Sequence, residues 1–359
     1  MSILIFFVVL GILVIVHEYG HFSMAKAVGV KVERFAVGFG PKLFSCMHKD
    51  TEFMVCLIPL GGYVKMSGDD RANCQGRPEE YFSKPAGHRA LIVLMGPVVN
   101  YLLAYICLYF VYVMGYPTLS PKIGNFLKGY PAQIAGLQIG DKILSINGEA
   151  VESWEDVQSH IAASASSVLD IKFLRENETL TKMIQTRQEM MKNIFGQEQK
   201  TNVIGISPEK EMIMLRFGLL ESFEKALSRL WNITAVTYQA IYRLMTGAMS
   251  AKESMAGPIG MFYIVKEAAN MGFSYLLYVV GIISASLAIF NLLPVPVLDG
   301  GHLLLLGIER MRNRPLPQKV DDAITKVGFS LILCLAVFVF YNDFEKLGWI
   351  DKIFGLWKR

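Results

Sequence analysis

The chain has few charged residues: only 18% of its 359 residues are charged, whereas 53% are apolar. Charged residues make up about a quarter of an ordinary soluble protein, so this composition argues against a soluble enzyme. The formal net charge is only +4. Basic residues that flank a membrane are enough to explain that excess, so we expect no nucleic-acid partner.

Cysteine is also scarce, and none lies between residues 116 and 274. The five cysteines are Cys46, Cys56, Cys74, Cys107 and Cys334. An odd number without a recognisable framework argues against structural disulfides. The first apolar run lacks both a preceding basic residue and a small-x-small cleavage pattern, so we expect it to be a membrane span and not a cleavable signal peptide.

The chain does contain long uncharged runs. They cover about residues 3–25, 91–115, 275–308 and 327–342, and one transmembrane helix needs about 20 apolar residues. The third run is longer than one span requires, and the fourth is short but continuous. The sequence therefore predicts a polytopic α-helical membrane protein with about four transmembrane helices.

Basic residues begin at Lys26, just after the first run, and are concentrated in two connections, residues 28–90 and 309–326. Short loops that are rich in Lys and Arg stay in the cytoplasm. With four spans, the N-terminus, residues 116–274 and the C-terminus are then all predicted to lie outside. The charge distribution and the number of spans agree on this topology.

The first apolar run contains ionisable residues. His17-Glu18-Tyr19-Gly20-His21 is a His-Glu-x-x-His pentad, which places both histidines on one face of a helix with Glu18 beside them. A catalytic zinc ion suits two imidazoles, a carboxylate that accepts a proton from bound water, and an open position. Because ionisable residues inside a membrane are costly, they are usually functional, and chance is the weaker explanation.

The third apolar run is interrupted by two prolines and two glycines within residues 291–302. Broken backbone at membrane depth is tolerated where it is buried in protein or lines a wet cavity. Asp299 lies at this break and, like His21, lies near the basic end of its run, so it is the candidate third ligand. An N-cap role for Asp299 and His302 as a rival ligand are alternatives. An open catalytic site favours a carboxylate beside two histidines.

Residues 118–207 predict a small mixed α+β domain outside the membrane. Asn147-Gly148 predicts a hairpin turn, Ser153 a helix N-cap, and the alternation at 169–174 a strand, with a last strand at 180–184. This order looks like a PDZ domain, and such domains bind extended peptides at a sheet edge. A steric filter without a peptide ligand is the alternative.

Two further segments have recognisable patterns. Residues 35–66 alternate in polarity between glycine-rich turns and predict a β-hairpin that is too apolar for a free loop. From Phe223 to Met245, apolar residues recur at helical spacing, which indicates an amphipathic helix on the outer membrane surface. The predicted organisation is a first membrane half at 1–115, an exterior domain at 118–207, a helical connection at 208–274 and a second membrane half at 275–359.

The pentad and Leu298-Asp299-Gly300 together resemble the paired signatures of the site-2 protease family, which are intramembrane zinc metalloproteases. Further matches lie at 34–41, 58–66 and 96–100, and the similarity extends over most of the chain. The resemblance points to the bacterial sigma-E regulator branch, and it implies a location in the bacterial inner membrane. The best-known members of that branch have two PDZ domains, whereas this chain has room for one.

The resemblance also implies a role for each candidate residue. The implied zinc ligands are His17, His21 and Asp299, and the implied catalytic base is Glu18. Asn291 is implied to stabilise the oxyanion or bind substrate, and Pro294 and Pro296 to lie in a stretch that contacts substrate. In the family the hairpin re-enters the membrane near the metal, where a strand edge can pair with an unwound substrate.

The sequence therefore predicts an intramembrane zinc endopeptidase that cuts single-span membrane proteins already trimmed outside. A membrane-bound anti-sigma factor or remnant signal peptides are the substrates that the family implies. One alternative is a membrane-tethered zincin that cuts soluble or misfolded chains, whose third ligand would usually be a Glu on a polar helix. The other is a catalytically inert PDZ-bearing scaffold, which would have no need of Glu18.

Overall fold

A computed structural model of the chain describes residues 2–71, 74–164, 166–192, 198–254, 257–314 and 317–346. The helices are α1 Ser2–Ala27, α2 Ala86–Met114, α3 Pro131–Ile134, α4 Trp154–Ala163, α5 Leu219–Met245, α6 Ala251–Ser254, α7 Pro258–Met271, α8 Phe273–Asn291, α9 Asp299–Arg312 and α10 Gln318–Lys346. The strands are β1 Val32–His48, β2 Thr51–Met66, β3 Tyr116–Leu119, β4 Ile123–Phe126, β5 Lys142–Ile146, β6 Glu149–Ala150, β7 Val168–Arg175, β8 Glu178–Gln185, β9 Arg187–Lys192, β10 Glu198–Val203, β11 Ile206–Pro208 and β12 Met212–Leu215.

The chain forms two compact units. The first contains residues up to 110, 223–241 and from 251 onward, and the second contains 111–222 and 242–250. The first unit holds α1, the β1–β2 hairpin and the later helices, and the second holds the shorter strands with α3 and α4. The predicted exterior position of the C-terminus concerns residues beyond 346, which lie outside the described part.

In the described part of the chain, four helices are long and apolar enough to cross a membrane. They are α1, α2, α8 and residues 323–346 of α10, and they agree with the four predicted runs. The third run differs from its prediction of 275–308, because α8 ends at Asn291 and α9 begins only at Asp299. Pro294 and Pro296 lie in between, and proline cannot donate the hydrogen bonds that would continue the helix.

Helices α1 and α2 touch through their backbones. A Cβ atom at Gly20 of α1 would collide with the carbonyl oxygen of Met95 and would lie 2.8 Å from the Cα of Gly96. Small residues at an interface between membrane helices allow this close approach. The contact lies within the pentad, so Gly20 sets how close its two histidines come to α2.

Strands β1 and β2 form a hairpin and pair antiparallel from Val32 to Met66. The first part of β1, Val32–Val37, has Gly62–Met66 on one side and Glu52–Val55 on the other. The chain then bends at Gly38 and Gly40, whose φ angles of 88° and 87° favour glycine. Among the described residues, Gly62–Met66 pairs with β1 alone, so it forms an outer strand.

In its described residues the second unit has a four-stranded sheet in the order β6-β5-β7-β8 and three two-stranded pairs, β4 with β11, β3 with β12 and β9 with β10. Its core contains Trp154 and Val157 of α4, together with Ile143 and Phe173 of the sheet. Asn147 and Gly148 have φ angles of 53° and 85°, as a type I′ turn requires.

The cap of α4 and the extent of the second unit can be compared with their predictions. The side chain of Ser153 caps α4, as predicted, in a capping box with Asp156. The strand predicted at 180–184 is present as β8, but it is not the last one, since four more strands follow it among the described residues. The unit also extends beyond 118–207, because Tyr116–Leu119 pairs with Met212–Leu215, and such a long-range pairing has no local pattern.

A buried carboxylate ties α10 to the start of α7. Asp343 is 3% exposed, and its side chain accepts hydrogen bonds from the backbone N–H groups of Gly257, Ile259 and Gly260 at 2.9, 2.9 and 3.1 Å. The first N–H groups of a helix have no partner within it, and they carry a partial positive charge. Asp343 therefore satisfies the start of α7 from another helix.

We expect Asp343→Ala to lower the stability of the protein by about 2–3 kcal/mol, because buried N–H groups lose a charged acceptor. Thermal unfolding in detergent measures the change. Glu345→Ala is the matched control. Glu345 lies two residues further along α10 and makes an exposed ion pair with Lys252 at 2.6 Å. Exposed ion pairs of this kind contribute little to stability. Equal melting temperatures for the two variants would contradict this account of α7.

Candidate metal centre

Three side chains from two distant parts of the chain converge in the first unit. His17 and His21 lie one turn apart on α1, with their Nε2 atoms 3.2 Å from each other. Asp299, the first residue of α9, places its Oδ2 atom 3.2 Å from His17 Nε2 and 3.5 Å from His21 Nε2. In a tetrahedral zinc site with bonds of about 2.1 Å, the ligand atoms lie about 3.4 Å apart. The three atoms therefore have the spacing of three corners of such a site.

The environment of Asp299 suits a residue that binds a cation. Its Oδ2 atom is buried, and no hydrogen bond of good geometry reaches it from the described residues. A buried carboxylate oxygen without a partner is unfavourable unless a cation compensates its charge. Two imidazole nitrogens and one carboxylate oxygen are also the donor set of many catalytic zinc sites, with the fourth position open.

This is the one cluster of three or more His, Cys, Asp and Glu side chains in the described part of the chain that could hold a metal ion. The N-cap of α9 is Leu298, without a side-chain cap, so the alternative that Asp299 is a helix cap is wrong. His302 lies one turn further along α9 and lines a cavity beside the cluster, but it is not part of the cluster.

Glu18 lies beside these three residues and shares a cavity of about 330 Å³ with them. The other walls are Asn291, the backbone turn before α9, and the outer strand of the hairpin from Gly62 to Val64. A Cβ atom at Gly62 would lie 3.1 Å from Glu18 Cγ. The outer strand therefore passes directly against the candidate base, with no room for a side chain between them.

A second cavity, of about 440 Å³, also reaches His21 and Asp299. It is more polar at its far end, where Glu309 accepts hydrogen bonds from Arg71 and, at 2.8 Å, from Arg89. Tyr81 lines it as well, and burial raises the pKa of Tyr81 to about 12, so its hydroxyl stays protonated at neutral pH. The candidate ligands thus border two cavities. One is lined by the outer strand of the hairpin, and the other is lined by Glu309, Arg71 and Arg89.

The turn between α8 and α9 is tightly folded. A Cβ atom at Gly300 would collide with the carbonyl oxygens of Leu292 and Leu293, so only glycine fits there. Val297 has a φ angle of 77°, which is strained for a β-branched residue. The turn therefore folds back on the start of α9, and this packing places Asp299 next to His17 and His21.

The structure brings Asn291 to the metal cavity but not the two prolines. Neither Pro294 nor Pro296 lines either of the two cavities. Pro294 is exposed, and Pro296 packs against α10, where a Cβ atom at Gly328 would lie 2.8 Å from its carbonyl oxygen. The implied substrate contact of the prolines therefore remains a prediction.

The second ring nitrogen of each histidine faces α2. His21 Nδ1 lies 2.9 Å from the carbonyl oxygen of Ile92, and His17 Nδ1 lies 3.4 Å from the side-chain amide of Asn100. Partners of this kind orient metal-binding imidazoles. In the sequence, Asn100 has no predicted role beyond its place in the match at 96–100. Its polarity in the middle of an apolar span was the signal that it has one.

Gly96 allows α2 to approach the two imidazoles. A Cβ atom there would overlap the ring of His21 and would lie 3.0 Å from His17 Cε1.

We expect Gly96→Ala to displace the histidines and abolish stoichiometric zinc binding, as measured by elemental analysis of the purified protein. Gly87→Ala on the same helix has open space around its Cβ and should bind zinc normally. Normal zinc content in Gly96→Ala would show that the rings do not bind metal in this geometry.

Similar proteins cover nearly the whole chain. The model of peptidase family M50 matches residues 5–335. A putative zinc metalloprotease of Rickettsia conorii is 34% identical over 369 residues, 97% of this chain and 99% of that protein. One of Campylobacter jejuni is 32% identical over 342 residues, 94% of this chain and 92% of that protein.

A regulator of sigma E protease of Haemophilus influenzae is 27% identical over 435 residues, 95% of this chain and 98% of that protein. The solved PDZ domain of an SdrC-like protein of Listeria monocytogenes is 20% identical, with a TM-score of 0.20, and covers 24% of this chain and 84% of that domain. That structural similarity is too weak to assign the fold of the second unit. The family match, by contrast, confirms the family that the two motifs predicted: the chain belongs to peptidase family M50, the site-2 proteases.

Proposed function

We propose that this protein is a zinc endopeptidase that cuts peptide bonds inside the membrane, with His17, His21 and Asp299 as the zinc ligands. The observation that carries the proposal is the set of three ligand atoms 3.2–3.5 Å apart, two of them on a helix apolar enough to span a membrane. Zinc as the metal is supported by the donor set and by the zinc metalloproteases among the relatives.

The residues around this cluster have complementary tasks. When bound, zinc acidifies a coordinated water and polarises the substrate carbonyl. The Glu18 carboxylate faces the same cavity and accepts the proton of the attacking water, then returns it to the amine nitrogen of the departing peptide. The side-chain amide of Asn291, also in this cavity, donates a hydrogen bond to the developing oxyanion.

The outer strand of the hairpin suits a substrate in extended form. Gly62–Val64 lines the cavity beside Glu18, and an exposed strand edge binds peptides by adding a strand. A helical substrate must unwind first, because the helix shields its peptide bonds. The apolar side chains on the distal part of the hairpin, including Leu43, Phe44 and Leu57, are exposed, which fits contact with lipid or with an apolar substrate.

We further propose a location in a bacterial inner membrane, with the N-terminus and the second unit outside. The basic residues of 26–90 and 309–326 support this orientation. Helix α5 presents exposed apolar residues, among them Leu220, Trp231 and Tyr242, and these suit the outer membrane surface. The bilayer and single-span membrane proteins trimmed outside are the proposed partners. The proposed substrates are a membrane-bound anti-sigma factor, in keeping with the regulator of sigma E protease among the relatives, or remnant signal peptides.

The two alternative functions are less well supported. A membrane-tethered zincin would usually take its third ligand from a Glu on a polar helix, whereas the third member of this cluster is Asp299 at a broken span. An inert scaffold would not require the base, yet Glu18 lies at the same cavity as the three candidate ligands.

We expect the purified wild-type protein, reconstituted with a single-span reporter, to cut within the membrane segment of the reporter. Glu18→Gln should retain zinc but cut at least about 100-fold more slowly, because the general base is lost. Mass spectrometry locates the cut, and a zinc chelator should abolish it. Cleavage by Glu18→Gln at the wild-type rate would remove Glu18 from the mechanism.

Asp299→Ala should lose zinc, because only two of the three proposed ligands remain. His302→Ala is the matched control, since His302 lies one turn away on α9 and borders the second cavity without joining the cluster, and it should retain zinc. Elemental analysis of both purified variants measures the difference. Full zinc content in Asp299→Ala, or loss in His302→Ala alone, would show that the third ligand is misassigned.

A further inference from the structure

We propose that Asn100 is a positioning residue for His17: the oxygen of its side-chain amide accepts a hydrogen bond from the Nδ1–H group and so presents Nε2 to the metal. This inference rests on the metal site proposed above. It assigns a task to a residue that contacts neither the metal position nor the substrate cavity.

An imidazole that binds a metal through one nitrogen carries its proton on the other nitrogen. For His21 the structure shows where this proton goes, because Nδ1 lies 2.9 Å from the carbonyl oxygen of Ile92. A carbonyl oxygen can only accept, so Nδ1 of His21 is the protonated nitrogen. Nε2 is then free of a proton and faces Asp299 at 3.5 Å.

His17 needs an equivalent acceptor, since its Nε2 atom also faces Asp299, at 3.2 Å. Its Nδ1 atom lies 3.4 Å from Nδ2 of Asn100. When Nδ1 carries the proton, two donors face each other and no hydrogen bond forms. Within the described part of the chain, Asn100 provides the partner for this nitrogen, so the amide must offer its other end.

The other end of the amide is available. Asn100 is 1% exposed, and its Oδ1 atom is buried without a hydrogen-bond partner among the described residues. The oxygen and nitrogen of an amide have nearly the same shape, and half a turn of the side chain exchanges them. After this rotation Oδ1 accepts from His17 Nδ1–H, and a buried acceptor that lacked a donor gains one.

The two amide orientations correspond to two tautomers of His17. With Nδ2 facing the ring, the amide donates to Nδ1, and the proton of the imidazole lies on Nε2, where it competes with the metal. With Oδ1 facing the ring, the proton lies on Nδ1 and Nε2 is a ligand. Asn100 achieves this without adding a charge, which would be costly within a membrane span.

The backbone at Asn100 contacts α8, away from the amide that faces His17. Its backbone oxygen accepts a hydrogen bond of 2.7 Å from the hydroxyl of Ser284 on α8, and Ser284 is fully buried. This contact provides a matched control, because Ser284→Ala disturbs the packing around Asn100 without changing the amide that faces His17.

The test is the zinc affinity of the full-length protein in detergent, measured by competition with a chromophoric chelator. Asn100→Leu keeps the approximate size of the side chain but has no acceptor, and we expect its affinity to fall about 10–100-fold. Asn100→Asp keeps an acceptor at the same place, so its zinc affinity should stay near the wild-type value. Ser284→Ala should bind zinc as the wild type does. Asn100→Ala is a second acceptor-free variant if Asn100→Leu does not fold.

The outcomes separate this inference from the proposed function. Wild-type protein that binds no zinc would refute the metal site itself. Zinc-binding wild type together with unchanged affinity in Asn100→Leu and Asn100→Ala would refute the role of Asn100 alone. Equal losses in Asn100→Leu and Asn100→Asp, or a similar loss in Ser284→Ala, would also refute it, because they would indicate general packing and not an acceptor for His17.

Discussion

The contact between α1 and α2 is the constraint on which the candidate centre depends. Polar groups at the depth of a membrane span must find partners inside the protein, because lipid offers none. At Gly20 and Gly96 the two backbones touch, and this closeness puts the carbonyl oxygen of Ile92 and the amide of Asn100 beside the two imidazoles. A larger residue at either glycine would separate the histidines from the groups that satisfy them.

The non-helical segment between α8 and α9 brings the third candidate ligand to the two histidines. Its prolines end α8, and Gly300 and Gly301 at the start of α9 let the turn pack closely, so that α9 begins with Asp299 at the imidazoles. The same turn lines the cavity that holds Glu18 and the outer strand of the hairpin. Peptide hydrolysis inside a membrane needs water, a base and an extended substrate in one place. The turn before α9, Glu18 and the outer strand line one cavity that can hold them together.

Local patterns predicted much of this arrangement. The first, second and fourth apolar runs, the Asn147-Gly148 turn and the Ser153 cap depend on neighbouring residues and were found where the sequence placed them. Predictions that needed distant contacts were less complete. The four described strands after Gln185 were missed, and the last of them, Met212–Leu215, pairs with Tyr116–Leu119 from the opposite end of the second unit. The third run was predicted as one interrupted span, whereas the structure divides it into two helices.

The sequence by itself determined the membrane class and the pentad, since both depend on composition and on the fixed spacing of a helix turn. It also indicated Asp299, but left an N-cap and His302 as alternatives. The tertiary structure brings Asp299, and not His302, to the two imidazoles, with Asp299 Oδ2 within 3.5 Å of both Nε2 atoms. It alone revealed that Asn100 faces His17 and that Gly62 lies against Glu18. Such relations depend on how separate helices and strands pack, and no local spacing in the chain encodes them.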